Sequence, residues 1–547
     1  MKSFQGRVVV ITDSGSDLGK FLALEFARIG ARLALWTQDL ALAQQIATQV
    51  TQMQTRSSAG TTLAPHVYEV DLSSNASIQQ GAKNVRRDFG QIDVLVNNSD
   101  FLHGATLLTA SDESIERVLA LNARATIFAT QAVLPQMLAL NSGVLLRHDY
   151  EAKHKKDKKP NGISMTLVCP TLILAHQGDA GALHEDANAW ISSIWMQPDH
   201  AAKEIVRAVR RGKAKLVLPP DYSMVLGFLA VLPDRMAAWV RKKLGLSKVM
   251  DHFVAPTAGG MAYPSLRNRT VLLTCCSSAL GYSFAVQLAQ KGAKLVLWDI
   301  DLRLAQRVAG EITRLYGVTT AVYQVDLREK EQVYATARRL AVEGINVSVV
   351  VNSIDALGEQ QGQLLVEKDS AQVANLLELH TLGSLWLVKA LLPGMLDGKQ
   401  GGHFVFLSSS ASLMGATSGI VGYAASKYAL LGMTRSLQYE LKRLEDSSTT
   451  ANKSGIQLTT VLAPLEYSKL AVAQPSNVVG VKKTERGWMK SDLIAMKTID
   501  AIKRNKRELL LPGEFRFVHL LCALLPQTWG DKLLDQLKYS HASSSLK

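Results

Sequence analysis

Apolar and polar positions follow one another along this chain in two rhythms. Short β-branched runs at Val8–Thr12, Leu33–Trp36 and Val94–Val96 are each followed by longer segments in which apolar residues return every three or four positions. The same succession recurs at Val271–Thr274, Leu295–Trp298 and Val347–Val351. A continuous apolar run bounded by turn signals predicts a strand buried on both faces, and the slower rhythm predicts helices. Strands alternating with helices imply βαβ units, and therefore a parallel sheet covered by helices on both faces.

The alternation is written twice. VVVITDSGSDLGKFLALEFARIGARLALW reappears as VLLTCCSSALGYSFAVQLAQKGAKLVLW, which sets Thr12 against Thr274, Gly19 against Gly281 and Trp36 against Trp298, each 262 positions later. Downstream, Asp71 answers to Asp326, Asn97 to Asn352, Pro135 to Pro393, Pro219 to Pro512 and Pro233 to Pro526. Between the copies, DHFVAPTAGGMAYPSLRN has Pro and Gly but no apolar period, which predicts a linker and a boundary near residue 260. A chain of 547 residues also exceeds one ordinary core. The expected fold is α/β: two tandem Rossmann-like, doubly wound parallel sheets with helices on both faces. The expected domains are 1–255, a linker 256–267, and 268–547.

Composition narrows the function classes. Hydrophobic residues make up 47% and charged residues 20%, a packed globular profile, and the net charge of +14 attracts anions such as cofactor phosphates, acidic headgroups or nucleic acid. No zinc-finger or RNA-recognition signature accompanies the charge, so no nucleic-acid partner is expected. Cys169, Cys275, Cys276 and Cys522 are too few and too badly spaced for a disulfide framework or a zinc site, so no metal is expected and a reducing, cytosol-facing location fits. The first residues run directly into a strand, without a signal-peptide or N-terminal anchor pattern, and the terminal SSSLK lacks the peroxisomal ending.

The first strand-to-helix turn of a doubly wound sheet brings backbone N–H groups against a pyrophosphate, which calls for glycine. These turns resemble those of the short-chain dehydrogenases/reductases, which read Thr-Gly-x-x-x-Gly-x-Gly. Asp13 and Asp17 replace the first two glycines in one copy, Cys275 and Ala279 in the other, while Gly19 and Gly281 remain. A carboxylate beside a diphosphate adds repulsion, which makes the N-terminal copy the poorer cofactor site. The resemblance implies that Asp299, ending KLVLWD, takes the adenosine ribose hydroxyls and disfavours a 2′-phosphate, so NAD is expected with NADP second; the N-terminal equivalent is Thr37. Asp71 and Asp326 match the family position near the adenine, or cap the next helix. The family's Asn-Asn-Ala-Gly is eroded to Asn97-Asn98-Ser99-Asp100 and to Asn352-Ser353-Ile354-Asp355. The implied cofactor contacts are Thr274, Ser277, Gly281, Asp299, Asp326 and Asn352, with Tyr423 and Lys427.

GYAASKYALLG sets Tyr423 and Lys427 four apart on one helix face, and a strand-like HFVFLSSS precedes them with Ser410 thirteen residues before Tyr423. By resemblance, Tyr423 is the proton acceptor or donor, Lys427 stabilises the phenolate and holds the ribose, and Ser410 hydrogen-bonds the substrate oxygen, or Ser409 if the loop slips by one. The family's relay asparagine is His380 here and Asn122 in the N-terminal copy; His380 either joins the relay or is a surface or helix-packing histidine. The N-terminal copy lacks the block altogether: Gly143 to Ile163 spans 20 positions, whereas Gly402 to Ile456 spans 54. A basic loop, RHDYEAKHKKDKKPN, stands there, and its Tyr150 and Lys153 are three apart without a helix face.

GAKLVLWDID resembles the branch containing retinol dehydrogenases and 17β-hydroxysteroid dehydrogenases, which implies a small apolar alcohol or carbonyl substrate and a place on the cytosolic face of the endoplasmic reticulum or a lipid droplet. Both copies close on apolar stretches, DYSMVLGFLAVLP and EFRFVHLLCALLP, too short to span a bilayer; they either lie at its interface, where Arg235, Arg241, Lys242 and Lys243 suit acidic headgroups, or pack internally. The family's dimerisation implies an intramolecular pseudo-dimer or a homo-oligomer. Two functions follow: a nicotinamide-dependent oxidoreductase working through the C-terminal copy, or a catalytically inactive binding scaffold.

Overall fold

The structure is a computed structural model. It describes residues 3–56, 64–99, 106–140, 142–145, 162–170, 196–213, 215–218, 265–354, 365–397, 401–410, 412, 420–447, 455–467, 488–513, 515 and 518. Several expectations fall outside them: most of the linker, Asp100, Asp355, Tyr150 and Lys153 in the basic loop, Cys522, Pro219, Pro233, Pro526, the first closing apolar stretch with the arginines and lysines after it, and all of the second but Phe515 and Val518. The chain forms two compact units, one of residues 1–105, 109–250 and 365–370, the other of 106–108, 251–364 and 371–547.

In the N-terminal repeat, β1 (Val8–Ile11), α1 (Asp17–Arg28), β2 (Arg32–Thr37), α2 (Leu40–Arg56), β3 (His66–Glu69), α3 (Asn75–Phe89) and β4 (Val94–Val96) alternate as the sequence predicts. Then comes a long helix in two parts, α4 (Asp112–Leu119) and α5 (Ala125–Ala139), joined by a π-turn at Ala120–Arg124. It leads to β5 (Ser142–Leu145), β6 (Gly162–Met165), β7 (Leu167–Pro170), α6 (Pro198–Arg210) and β8 (Lys215–Leu218). The sheet runs β3-β2-β1-β4-β5-β6, with β7 paired to β8, and every pairing is parallel.

The C-terminal repeat follows the same plan: β9 (Thr270–Thr274), α7 (Ala279–Gln290), β10 (Lys294–Asp299), α8 (Leu302–Tyr316), β11 (Thr320–Gln324), α9 (Lys330–Val342) and β12 (Val349–Asn352). Its long helix is α10 (Ser370–Leu377) and α11 (Gly383–Asp397), again joined by a π-turn, Glu378–Leu382. After it come β13 (Gly402–Ser409), α12 (Val421–Ser447), β14 (Ile456–Ala463), β15 (Leu465–Tyr467), β16 (Trp488–Lys490), α13 (Ser491–Lys503) and β17 (Glu508–Leu510). The parallel sheet runs β11-β10-β9-β12-β13-β14-β17. The fourth strand begins at Val349, two residues later than the apolar run suggests, because pairing with β9 begins there, Val349 lying opposite Val271.

Burial explains why these strands read as unbroken apolar runs. Every residue of β1, β4 and β12 is buried, as parallel strands covered on both faces must be. Each repeat has its own core, one centred on Val9, Ile11, Phe26 and Leu35, the other on Leu273, Phe284, Leu297 and Val351. The strand order reverses between β1 and β4 and between β9 and β12, which opens a crevice at the carboxyl ends of those strands. Gly143 lies opposite Ile163 as Gly402 lies opposite Ile456, so the two repeats keep the same register across the shortened connection. The two long helices, Asp112–Ala139 and Ser370–Asp397, are apolar enough by length and composition to cross a membrane, yet half or more of each apolar window is buried inside the protein.

Candidate active site

The C-terminal crevice begins at the β9–α7 turn. Cys275 takes a left-handed φ of 51°, where the family has glycine, and its N–H donates to Trp298 O at 2.8 Å. Gly281 is required by space: a Cβ there would lie 2.0 Å from the Cys275 carbonyl oxygen. Ser278 caps α7 by accepting from Gly281 N at 3.0 Å. Burial, then the nearby Asp299 charge, push the Cys275 and Cys276 thiols up, so both stay protonated.

Asp299 is buried at the end of β10, where Oδ2 accepts from Ser277 N at 2.8 Å and Oδ1 from Asp301 N at 3.0 Å. Ser277 and Asp299 therefore meet, through backbone and carboxylate. Thr274 Oγ1 donates to Asn352 Oδ1 at 2.8 Å and accepts from Ser353 N at 3.1 Å. Asn352 Nδ2 donates to Ser384 Oγ at 2.8 Å, and Ser384 Oγ donates to the His380 carbonyl at 2.6 Å. These side chains bind the turn to the π-turn through the sheet. Asp326 lies further out: Arg328 Nε donates to Oδ1 at 3.0 Å and Nη2 to Oδ2 at 2.6 Å. Partial burial pushes that carboxyl up, but the Arg328 hydrogen bonds hold it below the usual range. Neither aspartate of the pair caps a helix, since Ser74 and Glu329 take those positions; Asp71 instead accepts from Ser73 N and Gln38 Nε2.

At the other end of the crevice, Tyr423 and Lys427 lie on the first turns of α12, both buried. Lys427 Nζ donates to Ile354 O at 2.7 Å and Leu407 O at 2.9 Å, and sits 5.5 Å from the Tyr423 ring centre. The ammonium is thus held beside the phenol by carbonyls of two strand ends. Ser409 closes β13 and is 1% exposed; Ser410, 8% exposed, follows it with its N–H on Ala463 O at 2.8 Å. Ser410 is the less deeply buried of the two.

His380 lies on the π-turn and is fully buried, so the surface reading falls. Its Nδ1 is 2.7 Å from Ser426 Oγ, and its ring meets that of Tyr423 edge to face, 5.8 Å between centres. Burial, with the Lys427 charge adding to it, holds the imidazole well below its ordinary value and neutral. Ser426, Ser384 and the Ile354 and Leu407 carbonyls were not singled out by the sequence. Only Ser426 had a signal, a small polar residue three after Tyr423 on the same face.

The N-terminal crevice is built differently. Asp13 takes the left-handed conformation with a φ of 46°, and Asn98 Nδ2 donates to Asp13 O at 3.1 Å and to Ser16 Oγ at 2.9 Å, closing the turn. Thr37 stands where Asp299 does, its hydroxyl engaged with Asp39 N at 3.0 Å. Asn122 does lie on a π-turn, but no counterpart of α12 follows it among the described residues. No group of His, Cys, Asp and Glu suited to a metal exists among the described residues.

Residues 7–147 and 269–461 match the short chain dehydrogenase family. The chain belongs to that family, in tandem. Retinol dehydrogenase 10-B of Danio rerio is 30% identical over 292 residues, covering 46% of this chain and 86% of the relative. Retinol dehydrogenase 10 of Homo sapiens is 27% identical over 297 residues, with the same coverage. Among solved structures, a short chain dehydrogenase/reductase from Burkholderia phymatum in complex with NAD is 22% identical with a TM-score of 0.38, covering 46% of this chain and 92% of that one. This tandem dehydrogenase is by class an NAD(P)-dependent oxidoreductase, with a nicotinamide cofactor and a small alcohol or carbonyl substrate.

Proposed function

We propose that residues 268–547 form the catalytic domain, interconverting a lipid-like alcohol (retinoid, steroid or fatty) and its ketone or aldehyde with NAD. Residues 1–255, joined through 256–267, form a domain without catalysis. The observation that carries this is the Tyr423–Lys427 turn, where a buried ammonium anchored by Ile354 O and Leu407 O lies 5.5 Å from the tyrosine ring. That charge stabilises phenolate, which fits Tyr423 Oη to take the alcohol proton, or to return it in reduction. Ser410 fits a hydrogen-bond donor to the substrate oxygen as its charge develops.

The C-terminal turn fits a dinucleotide. Its substituted positions, Cys275 and Ala279, are neutral and small, whereas Asp13 and Asp17 put two carboxylates in the N-terminal turn. Ser277, Gly281 and Asp299 would hold the adenosine end, with Asp326 further out and Lys427 at the nicotinamide ribose, while Thr274 and Asn352 act from behind by fixing the turn. When bound, the cofactor supplies the hydride acceptor or donor. Asp299 supports NAD over NADP, because a buried carboxylate repels a 2′-phosphate. The likeness to retinol dehydrogenases supports an apolar alcohol, and the net charge of +14 supports peripheral contact with an acidic, cytosol-facing membrane surface.

A second reading, a scaffold without turnover, is favoured by Cys275 at positive φ and by an Asp299 carboxylate already accepting two backbone N–H groups. Tyr423→Phe separates the two. It should abolish NAD-linked turnover of an apolar alcohol such as retinol while leaving NADH affinity nearly intact, because only the proton relay is lost. Wild-type activity in that variant would sink the catalytic assignment, and a wild-type chain that binds no NADH would remove the catalytic reading and leave the scaffold.

A further inference from the structure

Bookkeeping of a single hydroxyl proton around His380 determines more than its burial. Ser426 Oγ has one hydrogen, and it donates to the Tyr423 carbonyl at 2.8 Å. Its 2.7 Å contact with His380 Nδ1 is then one in which the hydroxyl oxygen accepts, so Nδ1 carries the hydrogen. Burial and the Lys427 ammonium disfavour a second proton on the ring. Nε2 is therefore left with its lone pair, buried and without a hydrogen-bond partner among the described residues. The opposite tautomer would break the Ser426–Tyr423 bond and bury an unpaired N–H in place of an unpaired lone pair.

Ser426 separates Tyr423 from Lys427 on α12, and the π-turn grips it twice. His380 holds its hydroxyl, and Thr381 Oγ1 donates to its carbonyl at 3.4 Å. Edge-to-face packing of the His380 and Tyr423 rings adds a third contact to the same turn of helix. The backbone of His380 is tied in turn to Ser384 and, through Asn352, to Thr274 at the cofactor turn.

We propose that His380 is a positioning residue held as the Nδ1–H tautomer, which pins the Tyr423–Lys427 turn through Ser426. This rests on the catalytic reading of that turn. Its role differs from that of a packing histidine, whose loss would be felt as stability alone.

The test uses the full chain with 15N-labelled histidine, the His380 signals being assigned by their loss in His380→Phe. A protonated-type Nδ1 and an unprotonated, pyridine-type Nε2 are expected, unchanged between pH 8 and about 6, where an exposed histidine near its ordinary value would charge. In kinetics, His380→Phe and Ser426→Ala should each lower kcat about 10- to 100-fold with the KM for NAD little changed, as misplacement of reacting groups does. The double variant should be no worse than the more damaged single one, because both act through the same bond. A ring protonated at Nε2, a charged ring at pH 6, additive losses, or wild-type kcat in His380→Phe would each overturn the proposal while leaving turnover by the wild-type chain in place. A wild-type chain without NAD-linked turnover would instead remove the catalytic reading, and the positioning role with it.

Discussion

Replacing Lys427 by methionine separates what this side chain does for chemistry from what it does for the fold. The ammonium is fully buried and donates to Ile354 O at 2.7 Å and Leu407 O at 2.9 Å. Hydrogen bonds from a charged donor contribute about 1.5–3 kcal/mol each, so losing both costs about 3–6 kcal/mol. Against this, keeping an ammonium out of water costs several kcal/mol, which a methionine of similar volume does not incur. The two effects nearly cancel, and the net change in stability should stay within about 2 kcal/mol of zero, a shift of at most about 4–8 °C in Tm. Turnover has no such compensation. Without the cation beside Tyr423, general acid–base catalysis should fall about 10²- to 10⁴-fold. Thermal unfolding followed by circular dichroism, with NADH absorbance as the rate assay on an apolar alcohol, reads both quantities from one preparation. Turnover within about tenfold of wild type would refute the role given to Lys427. A fall in Tm well beyond about 8 °C would show that the lysine chiefly serves the fold.

The cofactor turns make a paired prediction. A Cβ at Gly281 would meet Cys275 O at 2.0 Å and one at Gly19 would meet Asp13 O at 2.5 Å, so Gly281→Ala and Gly19→Ala should each cost at least about 1–3 kcal/mol by overpacking. Calorimetry should find NADH affinity lost only with Gly281→Ala; retained binding there would count against the C-terminal site. Cys275 pays for a φ of 51° with strain of about 1–2 kcal/mol, partly offset in glycine by backbone entropy, so Cys275→Gly should stabilise by up to about 1 kcal/mol. Destabilisation by that amount in urea melts would contradict the assignment of strain. Burial lowers His403 to about 3 and holds His380 well below 6.5, so both imidazoles are neutral when folded and take up a proton on unfolding once pH drops below their unfolded value of about 6.5. Stability should therefore fall as pH is lowered from 6.5 toward 5, approaching about 1.4 kcal/mol per pH unit for each histidine. A urea midpoint independent of pH across that window would refute it.

Much of the architecture was legible because of where its strands lie. Parallel strands buried on both faces favour apolar side chains, so β1, β4, β9 and β10 stand out by runs such as VVVI and LVLW. The repeat supplied the register, and the pairing of Gly143 with Ile163 and of Gly402 with Ile456 shows how far that alignment reached. Tyr423 and Lys427 were legible from their four-residue spacing together with the strand HFVFLSSS and Ser410 before them, by resemblance to the family. Their surroundings were not. Lys427 is held by the carbonyls of Ile354 and Leu407, groups every residue has and which leave no mark in a sequence. The π-turns at Ala120–Arg124 and Glu378–Leu382 interrupt helices whose apolar rhythm continues across them, so that rhythm alone does not mark them. Asp299 was legible as a carboxylate ending the second strand, but its bonds to Ser277 N and Asp301 N depend on the curl of a turn that glycine counting does not describe.

Titrating the full chain with NADH in a calorimeter tests the division between the repeats most directly. In the N-terminal repeat Gly19 matches Gly281, but Thr37 stands where Asp299 does, no counterpart of the helix bearing Lys427 exists among the described residues, and Asp13 and Asn98 shape the turn. One molecule of NADH per chain is therefore expected, with binding removed by Gly281→Ala and untouched by Gly19→Ala. Two equivalents per chain, or a single equivalent that survives Gly281→Ala, would contradict a cofactor site confined to the C-terminal repeat.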